Sequence, residues 1–151
     1  MTGQADKLLP QFIDILMVDD DEADILLAKR ALHNGKLLNT MHVVKDGVEA
    51  MQYLRQEGQY ANTTRPDLIL LDLNMPRKDG REVLSEIKQD ARLRSIPVVV
   101  LTTSDSDEDI IRMYDLHANC YVTKPVDLNQ FTRIVTEIKS FWFSIVKLPQ
   151  Q

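Results

Sequence analysis

The chain has 151 residues, a formal net charge of -5, 44% apolar and 27% charged residues. These values exclude wholesale disorder, and an acidic balance without any basic run argues against nucleic acid or an anionic membrane as the main partner. One cysteine, Cys120, allows no internal disulfide, and neither a secretory leader nor a run of ~18 apolar residues occurs, so a cytoplasmic protein is expected.

Five short apolar runs are read as strands: Ile13–Val18, Thr40–Val44, Leu68–Leu71, Val98–Leu101 and Cys120–Val122. Four are rich in Val, Ile or Leu without strict alternation, as strands buried on both faces require. Amphipathic stretches lie between them. The first helix starts near Asp21 and carries Ile25, Leu26, Ala28, Lys29 and Leu32. Val48, Met51, Tyr53 and Leu54 mark the second, and Val83, Leu84 and Ile87 mark the third, opened by Asp79-Gly80. The fourth carries Ile110, Ile111, Met113, Tyr114 and Leu116, with Ser104 or Asp105 as N-cap, and the fifth runs from Asp127 to Lys147. Gly58–Pro66 is polar and reads as a long loop.

Strand and helix in alternation predict an α/β fold: a doubly wound parallel sheet of flavodoxin-like (βα)5 type with helices on both faces. The commonest five-strand order is 2-1-3-4-5, which puts a crevice between the carboxyl ends of strands 1 and 3. The expected organisation is an N-terminal tail over 1–10 and one domain over 11–148 with an extended last helix and no output domain.

The first strand runs straight into Asp19, Asp20, Asp21, Glu22 and Asp24; the third runs into Asp72. In the predicted order Asp19, Asp20 and Asp72 converge. Three carboxylates in one crevice repel each other unless a cation intervenes, and Mg²⁺ suits carboxylates plus a backbone carbonyl. Asp21, Glu22 and Asp24 have a sufficient structural reason, since acids cap helix starts and complement the dipole. Asp72 has none, because Leu73-Asn74-Met75-Pro76 follows it. The fourth strand continues into Thr102-Thr103 and the fifth into Thr123-Lys124-Pro125. A hydroxyl and an ammonium therefore reach the same edge of the sheet.

The chain resembles the receiver domain of two-component response regulators over residues 13 to about 140. The likeness rests on Ile15-Leu16-Met17-Val18-Asp19-Asp20, on Pro66-Asp67-Leu68-Ile69-Leu70-Leu71-Asp72-Leu73-Asn74-Met75-Pro76 with Asp79-Gly80, on Ile96 to Thr103, and on Tyr121-Val122-Thr123-Lys124-Pro125. It implies that Asp72 is the phosphoacceptor that attacks a phosphohistidine on a sensor histidine kinase. Asp20, Asp72 and the Asn74 carbonyl would bind Mg²⁺, with Asp19 acting mainly through water. Lys124 would pair with the phosphoryl oxygens, ahead of a cis Lys124–Pro125 bond. Thr102 and Tyr121 would form the switch. Phosphoryl transfer of this kind needs positioning and charge neutralisation more than covalent machinery.

A narrower likeness is to the stand-alone regulators that partner phytochromes (the Rcp type). It rests on Arg77 to Leu84, Leu101 to Ser104, Ala118 to Leu128 and the tail Phe141 to Pro149. It implies a phytochrome as the kinase, an unidentified downstream protein, and a homodimer with Tyr114, Trp142 and Phe143 near the interface. Two positions depart from the general pattern. Thr103 stands where Ala or Gly is usual, which bears on phosphoryl lifetime, and His117 stands where Gly is usual near a helix end.

In the last helix Leu128, Phe131, Ile134, Val135, Ile138, Phe141, Trp142 and Ile145 follow helical spacing and read as a core-facing stripe. Phe143, Val146 and Leu148 widen the apolar band beyond one face, as a protein contact would. His33, His42 and His117 have no ligand spacing and read as structural or surface residues. Cys120 reads as a small buried residue. Three rivals compete. A haloacid-dehalogenase-type phosphatase would use Asp19 as nucleophile, but Ala23 occupies a position where its motif has Thr or Val. A scaffold that no longer signals would not need the intact acid set. A flavin carrier would need a Gly/Ser/Thr phosphate loop after the first strand, which is missing.

Overall fold

The computed structural model describes residues 13–35, 39–75, 77–102, 120–123, 128, 129, 132–134, 136 and 137; for Thr102 and Cys120–Thr123 it describes the backbone alone. The tail over 1–10, the helix expected over Ser104–Leu116, Thr103, Tyr114, His117, Lys124, Pro125, Trp142 and Phe143 lie outside the described residues.

The strands are β1 (Ile13–Val18), β2 (Asn39–Val44), β3 (Leu68–Asp72), β4 (Val98–Thr102) and β5 (Cys120–Thr123). All pair in parallel, in the order β2-β1-β3-β4-β5 that the crossover rule predicted. Register aligns their carboxyl ends. Val18 lies beside Val44 on one side and Leu71 on the other, Asp72 beside Leu101, and Thr102 beside Thr123. β3 takes in Asp72, one residue beyond the apolar run, so the acid stands on the last rung of the ladder.

Side chains alternate across the sheet and fill two core layers. Leu16, Val18, Ile69, Leu71, Val98 and Val100 face one layer, with Met51 and Leu54 of the helix Gly47–Leu54 and Leu84 and Ile87 of the helix Gly80–Gln89. Ile13, Ile15, Met17, Leu68, Leu70, Val99 and Leu101 face the other, with Ile25, Ala28 and Leu32 of the helix Glu22–Asn34. Both faces being covered is why β1, β3 and β4 read as continuous apolar runs. β2 is an edge strand, and its burial alternates until Val44.

The helices start where their caps dictate. In α1 (Glu22–Asn34), Asp21 accepts from the Ala23 N–H at 2.8 Å, and Glu22 and Asp24 occupy the first turn. In α2 (Gly47–Leu54), Asp46 accepts from the Glu49 N–H at 2.8 Å. In α3 (Gly80–Gln89), Asp79 accepts from the N–H groups of Arg81 and Glu82 at 2.8 and 3.2 Å. Residues 128, 129, 132–134, 136 and 137 are also helical, and Leu128 and Ile134 pack on the α1-side layer, as the apolar stripe requires.

Gly58–Pro66 is a loop, as its polarity suggests, but it is not solvated throughout. Gly58–Tyr60 forms a 3-10 turn, and Tyr60 is buried. Its ring meets Tyr53 edge-on at 5.3 Å and His42 at 5.8 Å, and its hydroxyl donates to Glu49. Arg65 pins the other end by donating to Ser95 Oγ at 2.9 Å and the Arg92 carbonyl at 3.2 Å. A single aromatic inside a polar stretch thus anchors the loop. His42 stacks on Tyr53 at 4.7 Å, a packing role in keeping with its sequence reading.

Candidate functional site

Three segments build the site at the carboxyl edge of the sheet. The first follows β1. The Asp19 N–H donates to the Val44 carbonyl at 3.0 Å, which carries the chain past the sheet edge alongside β2. Asp19 Oδ1 then accepts from the Asp21 N–H at 2.9 Å, an Asx turn that swings the chain into α1. Asp19 ends fully buried while Asp20 faces solvent.

The second segment follows β3. Asp72 is 3% exposed, and its Oδ1 accepts from the Asn74 N–H at 3.2 Å. Leu73 is held by a bond from its N–H to the Leu101 carbonyl at 3.1 Å, and its carbonyl accepts from Gly80 N–H at 2.9 Å. Leu73 and Met75 are buried, so the chain cannot swing away from the acid. Gly80 is required here by close approach: a Cβ would lie 2.3 Å from the Asp72 carbonyl oxygen and 2.7 Å from Leu73 Cα.

One carboxylate oxygen each from Asp19, Asp20 and Asp72 lies within 4.8 Å of the other two. Two of these groups are buried, and burying carboxylates is costly without compensating charge or hydrogen bonds. The exposed Asp20 leaves an approach from solvent. An all-oxygen set with one wet side fits a hard divalent cation that keeps part of its water shell. The convergence expected from strand order is therefore present in the geometry.

The third segment, the β2–α2 turn, escaped the sequence reading. Lys45 pairs with Glu22 at the rim of the acid cluster. Its pKa is raised, chiefly by the hydrogen bond to Glu22 and then by that residue's charge; burial opposes this, and Asp20 and Glu49 add smaller attractions. Asp46 is 8% exposed and receives Arg77 Nη1 on Oδ2 at 3.1 Å. The signal was present in Asp46-Gly47-Val48-Glu49, an acid three residues before a Glu at a helix start.

The remaining expected site residues are placed by backbone alone or not described. Thr102 ends β4, one position beyond the Leu101 that pairs with Asp72. Tyr121 lies on β5 opposite Val100. Lys124 lies outside the described residues.

Three comparisons bear on this geometry. The family "Response regulator receiver domain" matches residues 15–136. Response regulator Rcp1 of Synechocystis is 50% identical over 135 residues, covering 89% of this chain and 92% of that protein. Among solved structures, the phosphorylated cyanobacterial phytochrome response regulator RcpA superposes with a TM-score of 0.79 at 56% identity, covering 89% of this chain and 96% of the other. The Mn²⁺-bound form of Rcp1 superposes with a TM-score of 0.77 at 49% identity, covering 86% and 94%.

Proposed function

The chain belongs to the response regulator receiver family, and from that premise we propose that it is a stand-alone phosphorylation switch in which Asp72 accepts a phosphoryl group from a sensor histidine kinase, a phytochrome. The observation that carries this reading is the meeting of Asp19, Asp20 and Asp72 within 4.8 Å at the carboxyl edge of the sheet. The likeness to a phytochrome response regulator crystallised in its phosphorylated form supports the choice of donor.

The residues present fit a divalent ion, and Mg²⁺ is the natural occupant of an oxygen-only set of this size. Asp19, Asp20, Asp72 and the Asn74 carbonyl would hold it. Bound there, it would neutralise charge on the transferred phosphoryl oxygens. The chain's own residues do the rest. An Asp72 carboxylate oxygen attacks phosphorus; the new O–P bond forms as the N–P bond of the phosphohistidine breaks, and its electron pair returns to the imidazole. The Asn74 N–H, bonded to Asp72 Oδ1, orients the carboxylate for this attack. The Lys124 ammonium receives the phosphoryl oxygens, and the Thr102 hydroxyl bonds to them only in the modified state. That difference between the two states moves Tyr121 and switches a protein-binding surface.

That surface includes the last helix. The protein forms a homodimer with Tyr114, Trp142 and Phe143 near the contact, and it hands the signal to a downstream protein rather than to nucleic acid or membrane. Sedimentation checks this: a dimer is expected at micromolar concentration, and a monomer under all phosphorylation states overturns it.

The phosphoacceptor is tested by incubating the protein with Mg²⁺ and acetyl phosphate and mapping the adduct by mass spectrometry. Modification at Asp72, lost in Asp72→Asn, is expected. Modification at Asp19 would instead support a phosphatase of the haloacid-dehalogenase type.

A further inference from the structure

The Asn74 carbonyl can serve a metal only if the β3–α3 loop is held in one place, yet residues 73–75 and 77–79 belong to no helix or strand. The loop is closed by the bond from the Gly80 N–H to the Leu73 carbonyl, as described above. Between those ends, the β2–α2 turn holds residues 77 and 78. The Gly47 N–H donates to the Lys78 carbonyl at 3.1 Å. The approach is so close that a Cβ on Gly47 would lie 2.2 Å from that carbonyl oxygen and 2.8 Å from Lys78 Cβ. Arg77 Nη1 donates to Asp46 Oδ2 at 3.1 Å, and Asp46 Oδ1 is committed to the Glu49 N–H at 2.8 Å.

Arg77 adopts φ +67°, a left-handed conformation in which a side chain is disfavoured. Glycine would adopt that φ more readily, but it could not reach Asp46 as the arginine side chain does. The same short turn is also tied to the other ligand-bearing segment, because the Val44 carbonyl accepts the Asp19 N–H at 3.0 Å. Residues 44–47 therefore span the two arms of the acid cluster, one arm bearing Asp19 and Asp20 and the other bearing Asn74.

We propose that Asp46 and Arg77 are positioning residues: their ion pair, with the Gly47–Lys78 bond, makes the β2–α2 turn a brace that sets where the Asn74 carbonyl stands relative to Asp19, Asp20 and Asp72. This rests on the metal-binding reading above. The brace touches neither metal nor phosphoryl group; it acts by fixing the backbone at residues 77 and 78. Its effect falls on affinity for the ion more than on the fold, since Arg77 is largely exposed and an oxygen at position 46 is enough to cap α2.

The full chain tests this with three variants. Arg77→Gln removes the charge pair, Asp46→Asn removes it while keeping an oxygen to cap α2, and Arg77→Lys retains a cation. Mn²⁺ dissociation constants are measured by calorimetry, urea midpoints by circular dichroism, and amide exchange in the metal-free protein by NMR. Arg77→Gln and Asp46→Asn are each expected to weaken Mn²⁺ binding about tenfold, the lower end of the range for residues that orient metal ligands from behind. Gly47 amide exchange should quicken in both, urea midpoints should hold, and Arg77→Lys should recover most of the affinity. If the native chain binds Mn²⁺ and both variants bind it equally well, the brace is overturned while the metal site stands. If urea midpoints and affinities fall together and Arg77→Lys rescues neither, the pair is merely structural and the proposal fails. If the native chain binds no Mn²⁺, the underlying reading fails and the brace fails with it.

Discussion

The carbonyl oxygen of Asp72 occupies space that a side chain on Gly80 would need, only 2.3 Å from where its Cβ would stand. The first residue of α3 is thus packed directly onto the backbone of the proposed phosphoacceptor. Gly80→Ala must push β3 and α3 apart or shift Leu73. A loss of about 1–3 kcal/mol is expected for overpacking of this kind, read from urea denaturation. Mg²⁺ affinity should fall as well, since Leu73 and Asn74 move with the strand end.

The acids after β1 divide by role, and substitution separates them. Asp21 caps α1, so Asp21→Ala should cost about 1 kcal/mol and leave Mg²⁺ affinity nearly unchanged.

Asp20 should behave in the opposite way. Two unit charges about 4 Å apart repel by roughly 1 kcal/mol in water and about 4 kcal/mol at an effective dielectric near ~20. Asp20 faces solvent, so Asp20→Asn should stabilise the metal-free protein by about 1–2 kcal/mol. A near-saturating Mg²⁺ concentration, about 100 times the dissociation constant, should stabilise the native protein by about 2.7 kcal/mol and the variant by much less. Thermal melts with and without Mg²⁺ read both effects.

Tyr60 predicts an alkaline limit to stability. Burial first, then the hydrogen bond and charge of Glu49, with smaller contributions from Asp46 and Tyr53, push its pKa from 10.0 up to about 12. The folded state then holds the phenolic proton after the unfolded chain has lost it. The stabilising contribution is complete below pH ~10 and disappears as pH rises towards about 12. Urea midpoints should drop across that window, and Tyr60→Phe should flatten the drop. Tyr53, raised chiefly by burial, leaves a residual slope.

The strand order and the acid cluster were legible because each rests on a local pattern with few solutions. Val18-Asp19-Asp20 and Leu71-Asp72 are apolar runs that end in carboxylates, and parallel crossovers leave little choice over which strands are neighbours. Asp21 was legible as a cap because capping depends on residues two or three positions away. The brace was not legible, since the Asp46–Arg77 pair joins residues 31 positions apart and depends on a left-handed φ at a non-glycine residue. Tyr60 was missed for a related reason: polarity marked its loop correctly, but burial of a single ring depends on Tyr53 and His42 from other elements.

Anomalous diffraction from a crystal soaked in Mn²⁺ tests the central claim most directly. One peak is expected beside β1 and β3, bounded by Asp19, Asp20, Asp72 and the Asn74 carbonyl. A map with no peak there, or with Asp72 turned away from the two acids after β1, would contradict it.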